Sequence, residues 1–466
     1  MTERPHLAAI GAGPAGLAAT MAAASSGVRV TLIDSAPQAG GQFYRQPAAE
    51  LRARRPQALH HQWGTWERLR DALAEGMEAG QVTHLTDHHV WLVEGQSGHF
   101  TVHALLGPEQ EEAAAVVHAD AVLLATGGYE KVLPFPGWTL PGVITAGGAQ
   151  AMLKGTLAVS GHTAVVAGTG PLLLPVATGL AAAGVKVAAL VESAQPMDFV
   201  RRTRALAAQP GKVGEGARYA AQLLRHRVRT LVHHTVVEAH GTERLEAVTV
   251  AALDRAGRVR RGTERRIPCD TLAVGHGMLP HTDLAETLGC RLDGPNVHVD
   301  AEQRTDVPGV WAAGETTGIG GAALALAEGH IAGYSAAARL NGAEPDPRAW
   351  AAAAKSRSSL REFFAALDTV YAPPAHWAEQ VTDDTVVCRC EEVTGGAIRE
   401  AVTDLGAGDL RTVKLLTRAG MGWCQGRVCG PAVAGLAGCA QAPGRRPFAR
   451  PVPLGVLARA GEPEAE

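Results

Sequence analysis

Gly11-Ala12-Gly13-Pro14-Ala15-Gly16 is the stretch that decides the fold. An apolar strand over 6–10 precedes it, an Ala-rich helix runs from it to about residue 25, and a second apolar strand over 28–33 ends in Asp34. This is a β-turn-α-β unit carrying G-x-G-x-x-G in the setting the motif requires. Gly11 permits the tight turn, Gly13 lets a pyrophosphate approach the backbone, and Gly16 lets the helix pack close to its strand. The helix N-terminus then offers free N–H groups and a partial positive charge to phosphates. Asp34 is placed to accept hydrogen bonds from ribose hydroxyls.

The module recurs. A strand over 164–167 enters Gly168-Thr169-Gly170-Pro171-Leu172-Leu173, and the next strand, 185–191, ends at Glu192. Two glycines are kept, and Leu173 stands where the third belongs. It is expected to push the helix away from its strand. Glu192 can hold ribose hydroxyls and disfavours a 2′-phosphate. Gly168, Gly170 and Glu192 therefore mark a second site, for NAD or another adenine nucleotide, or a domain retained for packing and docking.

Around these modules, residues 45–80 read as polar helix and 81–120 as short strands. An apolar strand over 121–125 is closed by Thr126-Gly127-Gly128. Residues 246–266 read as a charged hairpin, 269–275 as a strand, and 310–313 as a strand running into Gly314-Glu315 and a Gly/Ala-rich helix. The expected fold is α/β, with two dinucleotide-binding domains of the glutathione-reductase kind and a small, mainly helical C-terminal domain. The expected division is 1–150 and 269–338 as two parts of one dinucleotide domain, 151–268 as the second, 339–382 as a helical connector, 383–442 as the C-terminal domain, and 443–466 as a loosely ordered tail.

Four of the seven cysteines fall in that C-terminal domain: Cys388 and Cys390 as C-x-C, Cys424 and Cys429 as C-x₄-C. Two tight pairs of thiolates suit a tetrahedral sulfur site. An iron–sulfur cluster, zinc and redox-active thiols are the candidates. The C-x-C opening departs from the C-x₂-C pairs of zinc ribbons and favours a [2Fe-2S] cluster. Thr394 and Asp409 are expected to cap helices, with Val413 to Leu416 on a buried face. Lys414, Arg418 and Arg427 are expected to offset the charge of four thiolates. Cys269, Cys290 and Cys439 stand alone and read as small packing residues. His276, between Gly275 and Gly277, reads as a loop histidine.

A net charge of −3 gives no reason to expect nucleic acid or an anionic membrane. No apolar run reaches bilayer length, and residues 1–5 do not read as a signal peptide. A cytoplasmic location is expected, with peripheral attachment to the inner membrane only through partners.

Several segments together resemble a known group. Gly314-Glu315, after an apolar strand and before Gly318, Gly320 and Gly321, resembles the second flavin motif of two-dinucleotide flavoproteins, with Glu in place of the usual Asp. Ala125-Thr126-Gly127 resembles the chain-crossing motif of the same proteins. Residues 11–16, Gly40-Gly41-Gln42-Phe43-Tyr44-Arg45-Gln46, Leu133-Pro134-Phe135-Pro136-Gly137-Trp138-Thr139-Leu140-Pro141-Gly142-Val143, and Met421-Gly422-Trp423-Cys424-Gln425-Gly426-Arg427-Val428-Cys429 are similar to the flavoprotein A or α subunits of opine oxidases. They are also similar to the B subunit of hydrogen cyanide synthase and to the α subunits of hetero-oligomeric proline, hydroxyproline and sarcosine dehydrogenases. The C-terminal domain resembles bacterioferritin-associated ferredoxin.

The resemblance implies FAD held by Gly11, Gly13, Pro14, Ala15, Gly16, Asp34, Gly41, Gln42, Thr126, Gly127, Gly314 and Glu315. It implies a [2Fe-2S] cluster on Cys388, Cys390, Cys424 and Cys429. It further implies an oxidoreductase acting on CH–NH donors within a complex. A partner flavin subunit of the D-amino-acid-oxidase type would carry the substrate site, and a small ferredoxin-like subunit could complete the assembly. No acid–base pair stands out as catalytic. Three other readings remain: a self-sufficient NADH-dependent flavin reductase, a thioredoxin-reductase-type disulfide reductase, and a nucleotide- and zinc-binding scaffold. The disulfide reductase would need a cysteine pair inside the nucleotide domains.

Overall fold

The computed structural model describes residues 4–96, 98–107, 113–200, 206, 208–440 and 446–460. Its first sheet is parallel, in the order Val310–Ala312, Ala121–Leu124, His6–Ile10, Arg29–Ile33, Val82–Leu85. Its inner strands are buried on both faces because helices and a second sheet cover them, whereas the edge strand Val82–Leu85 exposes Thr83. The opposite edge strand comes from nearly 200 residues further along the chain. Its pairing of Val310 with Val122 and Ala312 with Leu124 sets the following Gly314 beside the first glycine loop.

Helix Pro14–Ser25 packs along helix Gly321–Leu340 at unusually short range. A Cβ at Gly329 would lie 2.1 Å from the Ala15 carbonyl oxygen, and one at Gly333 would lie 2.3 Å from that of Ala19. Small residues on both helices make this contact possible, and it locks the two halves of the first domain together.

The second parallel sheet runs Thr230–Val232, Lys186–Glu192, Thr163–Gly168, Thr271–Gly275, Val143–Thr145. Each unit adds a three-stranded antiparallel sheet. One holds His88–Gln96, His99–Leu106 and Ala114–Ala119. The other holds His234–His240, Ala247–Ala252 and Arg265–Pro268, and its last two strands form the expected hairpin. The expected helix over 45–80 is shorter: two single turns, Ala49–Leu51 and Pro56–Leu59, precede helix Trp63–Glu78. Pro47 and Pro56 lack the N–H that a continuous helix needs.

The connector is helix Ala351–Val370. The cysteine domain follows, with the small hairpin of Val386–Cys388 and Val393–Thr394 and helices Gly395–Thr403, Leu410–Thr417 and Gly430–Ala437. Thr394 and Asp409 cap the first two of these through the N–H groups of Ala397 and Thr412. Only Val413 of the expected buried face is buried; Leu415 and Leu416 face outward.

The tail is a correction. Residues 443–445 and 461–466 lie outside the described residues, but 446–460 dock on the first antiparallel sheet. The Ala449 N–H donates to the Trp91 carbonyl at 2.9 Å, the Phe448 ring meets Trp91 edge-on at 5.1 Å, and Val456 is buried beside Trp91 and Leu105. Those apolar contacts offset the ordering cost that its Pro, Arg and Glu content suggested would go unmet. Among the described residues no helix is long and apolar enough to cross a membrane.

Candidate flavin and cluster sites

The first glycine loop separates what the protein needs from what a ligand needs. A Cβ at Gly11 would lie 2.3 Å from the Ala125 carbonyl oxygen, and one at Gly16 only 1.8 Å from that of Gly11. At Gly13 the nearest atom would be the Gly41 Cα, 3.9 Å away. Packing therefore demands the first and third glycines, while the face at Gly13 stays open. Helix Pro14–Ser25 begins directly behind it, and no side chain caps its free N–H groups. Pro14 and Ala15 occupy that first turn, and Gly41 faces Gly13 from the next loop. An open cradle at a bare helix N-terminus fits the pyrophosphate of FAD.

Asp34 is buried and accepts the N–H groups of Ala12 and Ala36, the latter at 2.7 Å. Burial raises its pKa against those two bonds. Gln42 is exposed, and its side-chain oxygen accepts from Arg45 at 2.8 Å. Thr126 Oγ1 donates to the His281 carbonyl at 2.6 Å, and Thr316 Oγ1 donates to the same oxygen at 2.9 Å. The chain crossing and the second flavin-type motif are thus tied together at His281. Gly127 has φ +75° and open space where a Cβ would be.

Glu315 is turned inward and accepts the N–H of Gly321, at the start of helix Gly321–Leu340. Burial raises its pKa. The loop is held instead by Glu328, whose Oε2 accepts the Gly314 N–H at 2.9 Å and the Thr317 hydroxyl at 2.9 Å. Glu328 Oε1 pairs with Arg361 of the connector at 2.5 Å. Sequence reasoning missed this pair. Glu328 lies in mid-helix, 33 residues from its partner, with no local pattern to mark it.

In the second module Glu192 accepts the N–H of Gly170 at 3.1 Å and of Ala194 at 2.9 Å. Burial pushes its pKa up to about 7. Leu173 does not lever the helix off its strand as expected. The helix starts at Leu173 itself, two residues later than its counterpart behind Gly13, and Leu173 is buried among Ala146, Val166 and Ala273. Gly168 keeps its close approach, with a Cβ there 1.7 Å from the Gly275 carbonyl oxygen. His276 Nδ1 lies 3.3 Å from Thr169 Oγ1, and burial, then the charge of Lys131, lowers its pKa to about 4. Tyr371, just beyond the connector helix, is pushed up to about 12 by burial and by the charge of Glu192.

The four clustered thiols come together in a chain of contacts: Cys390 to Cys424, Cys424 to Cys429, Cys429 to Cys388. The hydrogen bond from Cys429 pulls the Cys424 thiol down to about 4, and the same bond pushes Cys429 up. The Gly420 N–H points at Cys388 Sγ, 3.5 Å away, and a Cβ at Gly422 would strike the Cys390 Cβ at 2.1 Å. Four sulfurs in two pairs, with amides aimed at sulfur, are the donor set that suits two irons, one pair to each. Cys388 and Cys429 are buried and Cys390 is exposed. The isolated Cys269 and Cys290 are buried, and burial raises both thiols. Among the described residues no group of three or more His, Cys, Asp and Glu side chains is arranged to hold a metal ion, whereas a two-iron cluster asks for only two thiols at each iron.

The two arginines expected to offset the thiolates are each paired with a carboxylate. Arg418 pairs with Glu391 at 2.8 Å, and Arg427 forks onto Asp283, both bonds 3.0 Å. Asp283 also meets His281 Nε2 at 3.0 Å and Arg446 at 2.5 Å, and His281 and then Arg427 hold its pKa down to about 2 despite burial. Trp138 Nε1 donates to the Val386 carbonyl at 2.5 Å, and Arg389 lies over the Trp138 ring, 5.4 Å from its centroid. Trp138 was visible within residues 133–143, though without a role. Asp283 carried no signal at all.

Comparisons with known proteins agree with this architecture. Residues 5–339 match the model of the pyridine nucleotide-disulphide oxidoreductase family, and residues 386–437 match that of the BFD-like [2Fe-2S] binding domain. The chain is 33% identical to the A subunit of opine oxidase from Agrobacterium tumefaciens, over 92% of this chain and 84% of that one. It is 33% identical to HcnB, a subunit of hydrogen cyanide synthase from Pseudomonas protegens, over 90% and 89%. The alpha subunit of sarcosine oxidase from a Corynebacterium is 30% identical over 70% of this chain and 32% of its own. Among solved structures, L-proline dehydrogenase of P. horikoshii superposes with a TM-score of 0.65 at 20% identity, covering 98% of this chain and 81% of that one, a likeness of fold. The family's FAD and the domain's [2Fe-2S] cluster match the open glycine cradle and the four thiols. This chain is an FAD-dependent oxidoreductase that belongs to the pyridine nucleotide-disulphide oxidoreductase family and carries a C-terminal BFD-like [2Fe-2S] domain.

Proposed function

We propose that this chain is the electron-transfer subunit of a heteromeric amino-acid or opine dehydrogenase or oxidase, of the D-hydroxyproline, proline or opine type. A partner flavin subunit of the D-amino-acid-oxidase type oxidises the C–N bond, and a small ferredoxin-like subunit completes the complex. The assembly works in the cytoplasm, attached to the inner membrane, if at all, through partners. When bound, FAD accepts electrons in pairs and the cluster passes them singly.

The chain's own residues supply the holding and the path. Gly13, Gly41 and the first turn at Pro14 and Ala15 receive the pyrophosphate, and Asp34, with one amide on each oxygen, keeps lone pairs for the ribose hydroxyls. Thr126, Gly127, Gly314 and Glu315 line the shelf for the flavin. Cys388, Cys390, Cys424 and Cys429 ligate the irons. The domains divide the work accordingly: 1–150 with 269–338 for FAD, except that strands Val143–Thr145 and Thr271–Gly275 complete the second sheet; 151–268 as the NAD-type dinucleotide domain, 339–382 as connector, 383–442 for the cluster.

The observation that carries this reading is continuity. The Cys424 carbonyl accepts from Arg427 at 3.1 Å, Arg427 forks onto Asp283, and Asp283 meets His281, whose carbonyl receives both Thr126 and Thr316. A ligand loop and a flavin shelf joined in one network suit electron passage between them. Relatives named as subunits of opine oxidase, hydrogen cyanide synthase and sarcosine oxidase support a multi-chain setting.

A second reading, an NADH-dependent flavin reductase, draws on Glu192, which keeps the position of a ribose acid. The delayed helix start at Leu173 speaks against it. An anaerobic NADH titration followed by absorbance separates the two. Flavin and cluster bands that NADH leaves unchanged, but that an amino acid or opine bleaches once the partner is added, support the electron-transfer reading. Rapid bleaching by NADH alone supports the reductase.

A further inference from the structure

Each cysteine pair of the C-terminal domain is fastened to the flavoprotein body by a different residue. The first pair is held at Trp138. Its indole N–H donates to the carbonyl of Val386, two residues before Cys388, and Arg389, between Cys388 and Cys390, covers its ring. Trp138 is itself buried, at 7% exposure, so this is a seated contact. The second pair is held at Asp283. Arg427, between Cys424 and Cys429, reaches it through two parallel bonds, the strong geometry for guanidinium and carboxylate. Arg446 adds a third bond from the docked tail, and Arg427 also donates to the Ala449 carbonyl.

The two anchors lie in different parts of the body. Trp138, with Phe135, packs against Val236 and Ala239 of the second domain, and Gly137 beside it has φ +80° with a Cβ position 2.1 Å from the Ala239 carbonyl oxygen. Asp283 belongs to the flavin domain, two residues past His281. Two anchors on opposite cysteine pairs define an orientation, which a single anchor would leave free to pivot. Neither is needed to build the sulfur site, whose glycine contacts and thiol chain lie within the C-terminal domain.

We propose that Trp138 and Asp283 are positioning residues that together fix the cluster-binding loops at a set distance and orientation to the flavin shelf. The proposal rests on the reading of this chain as a carrier of both FAD and cluster. With both groups bound, the two anchors would keep one exchange fast: the single electron lost by reduced flavin would be the one gained by the oxidised cluster.

The test uses the full chain with both cofactors, comparing Asp283→Asn, Asp283→Glu, Arg427→Gln and Trp138→Phe with the parent. Two measurements are made: hydrogen exchange of residues 386–437, and the rate of cluster reduction after flash photoreduction of the flavin. Trp138→Phe keeps an aromatic ring but removes the five-membered ring with its N–H, so melting temperature is measured beside it to separate loss of the anchor from simple misfolding. We expect Asp283→Asn, Arg427→Gln and Trp138→Phe to retain iron, flavin and the cluster's absorbance. Exchange should rise severalfold at 386–390 for Trp138→Phe and at 424–429 for the other two. Electron transfer should slow roughly tenfold or more, as small misplacements do for reacting groups. Asp283→Glu should recover part of the rate. Unchanged exchange and unchanged rate in the cofactor-replete variants would overturn the proposal. If the parent itself lacks flavin or cluster, the functional reading fails, and the exchange measurement still decides whether the two anchors dock the domain.

Discussion

Glu192 Oε2 accepts the N–H of Gly170 at 3.1 Å, a contact that reproduces in the second module what Asp34 does for Ala12 in the first. The offset is 22 residues in both, and each acid also caps the amide two residues beyond itself. Both carboxylates thus fold their glycine loops before any nucleotide arrives. The modules differ in where the next helix begins, at once in the first and two residues later in the second.

The burial of Glu192 has a pH signature. Its folded pKa, about 7, lies above the ordinary 4.5, so the folded state binds the extra proton. The corresponding stability is fully present below pH 4.5 and is lost as pH rises through about 7. Glu192→Gln should flatten the dependence of melting temperature on pH over that window, removing a term on the order of 3 kcal/mol at most. A slope identical to the parent's would show that Glu192 is not the group responsible.

Gly13 and Gly16 should fail in different ways. A Cβ in Gly13→Val meets the protein only at the Gly41 Cα, in ordinary contact at 3.9 Å, so the chain should fold with a near-normal melting temperature and lose FAD. Gly16→Ala drives a methyl into the Gly11 carbonyl, and should lower stability by about 2 kcal/mol, an overpacking cost. Flavin content against melting temperature for the two variants checks this. Normal flavin in Gly13→Val would refute the cradle.

Cys424→Ser should abolish the cluster absorbance and release iron, because the thiol in the middle of the contact chain is gone. Cys439→Ser should leave both unchanged. Iron analysis with visible spectra distinguishes them, and an intact spectrum in Cys424→Ser would rule out the ligand assignment.

Arg361→Ala leaves Glu328, 1% exposed, as a buried carboxylate without its cation. Stripping one partner from such a pair costs roughly 3 kcal/mol. Because Arg361 also binds the Thr317 carbonyl and hydroxyl, flavin affinity should fall with stability. Denaturant unfolding and FAD titration measure the two effects. Glu328→Gln, which keeps the acceptor for Gly314, should be milder.

Much of this was legible because the motifs are local. Gly11, Gly13, Gly16 and Asp34 sit at fixed spacings, and the caps at Thr394 and Asp409 are short-range hydrogen bonds. Leu173 was recognised as a departure, but its consequence was misjudged. Delaying the helix lets a large side chain be buried against Val166 and Ala273 of the sheet. Composition hides the docking of the tail, since Trp91 and Leu105 lie some 350 residues earlier in the chain and give no local sign of what they hold.

By itself the sequence determined the two nucleotide-type modules, the four thiols and the order of the domains, since each is written in residues close together in the chain. Tertiary structure alone decided that Glu328 meets Arg361, that Glu315 turns inward to Gly321, and that the cysteine domain rests on Trp138 and Asp283. Those contacts join residues from 6 to 248 positions apart, and their partners are chosen by burial, shape and charge once distant elements have packed.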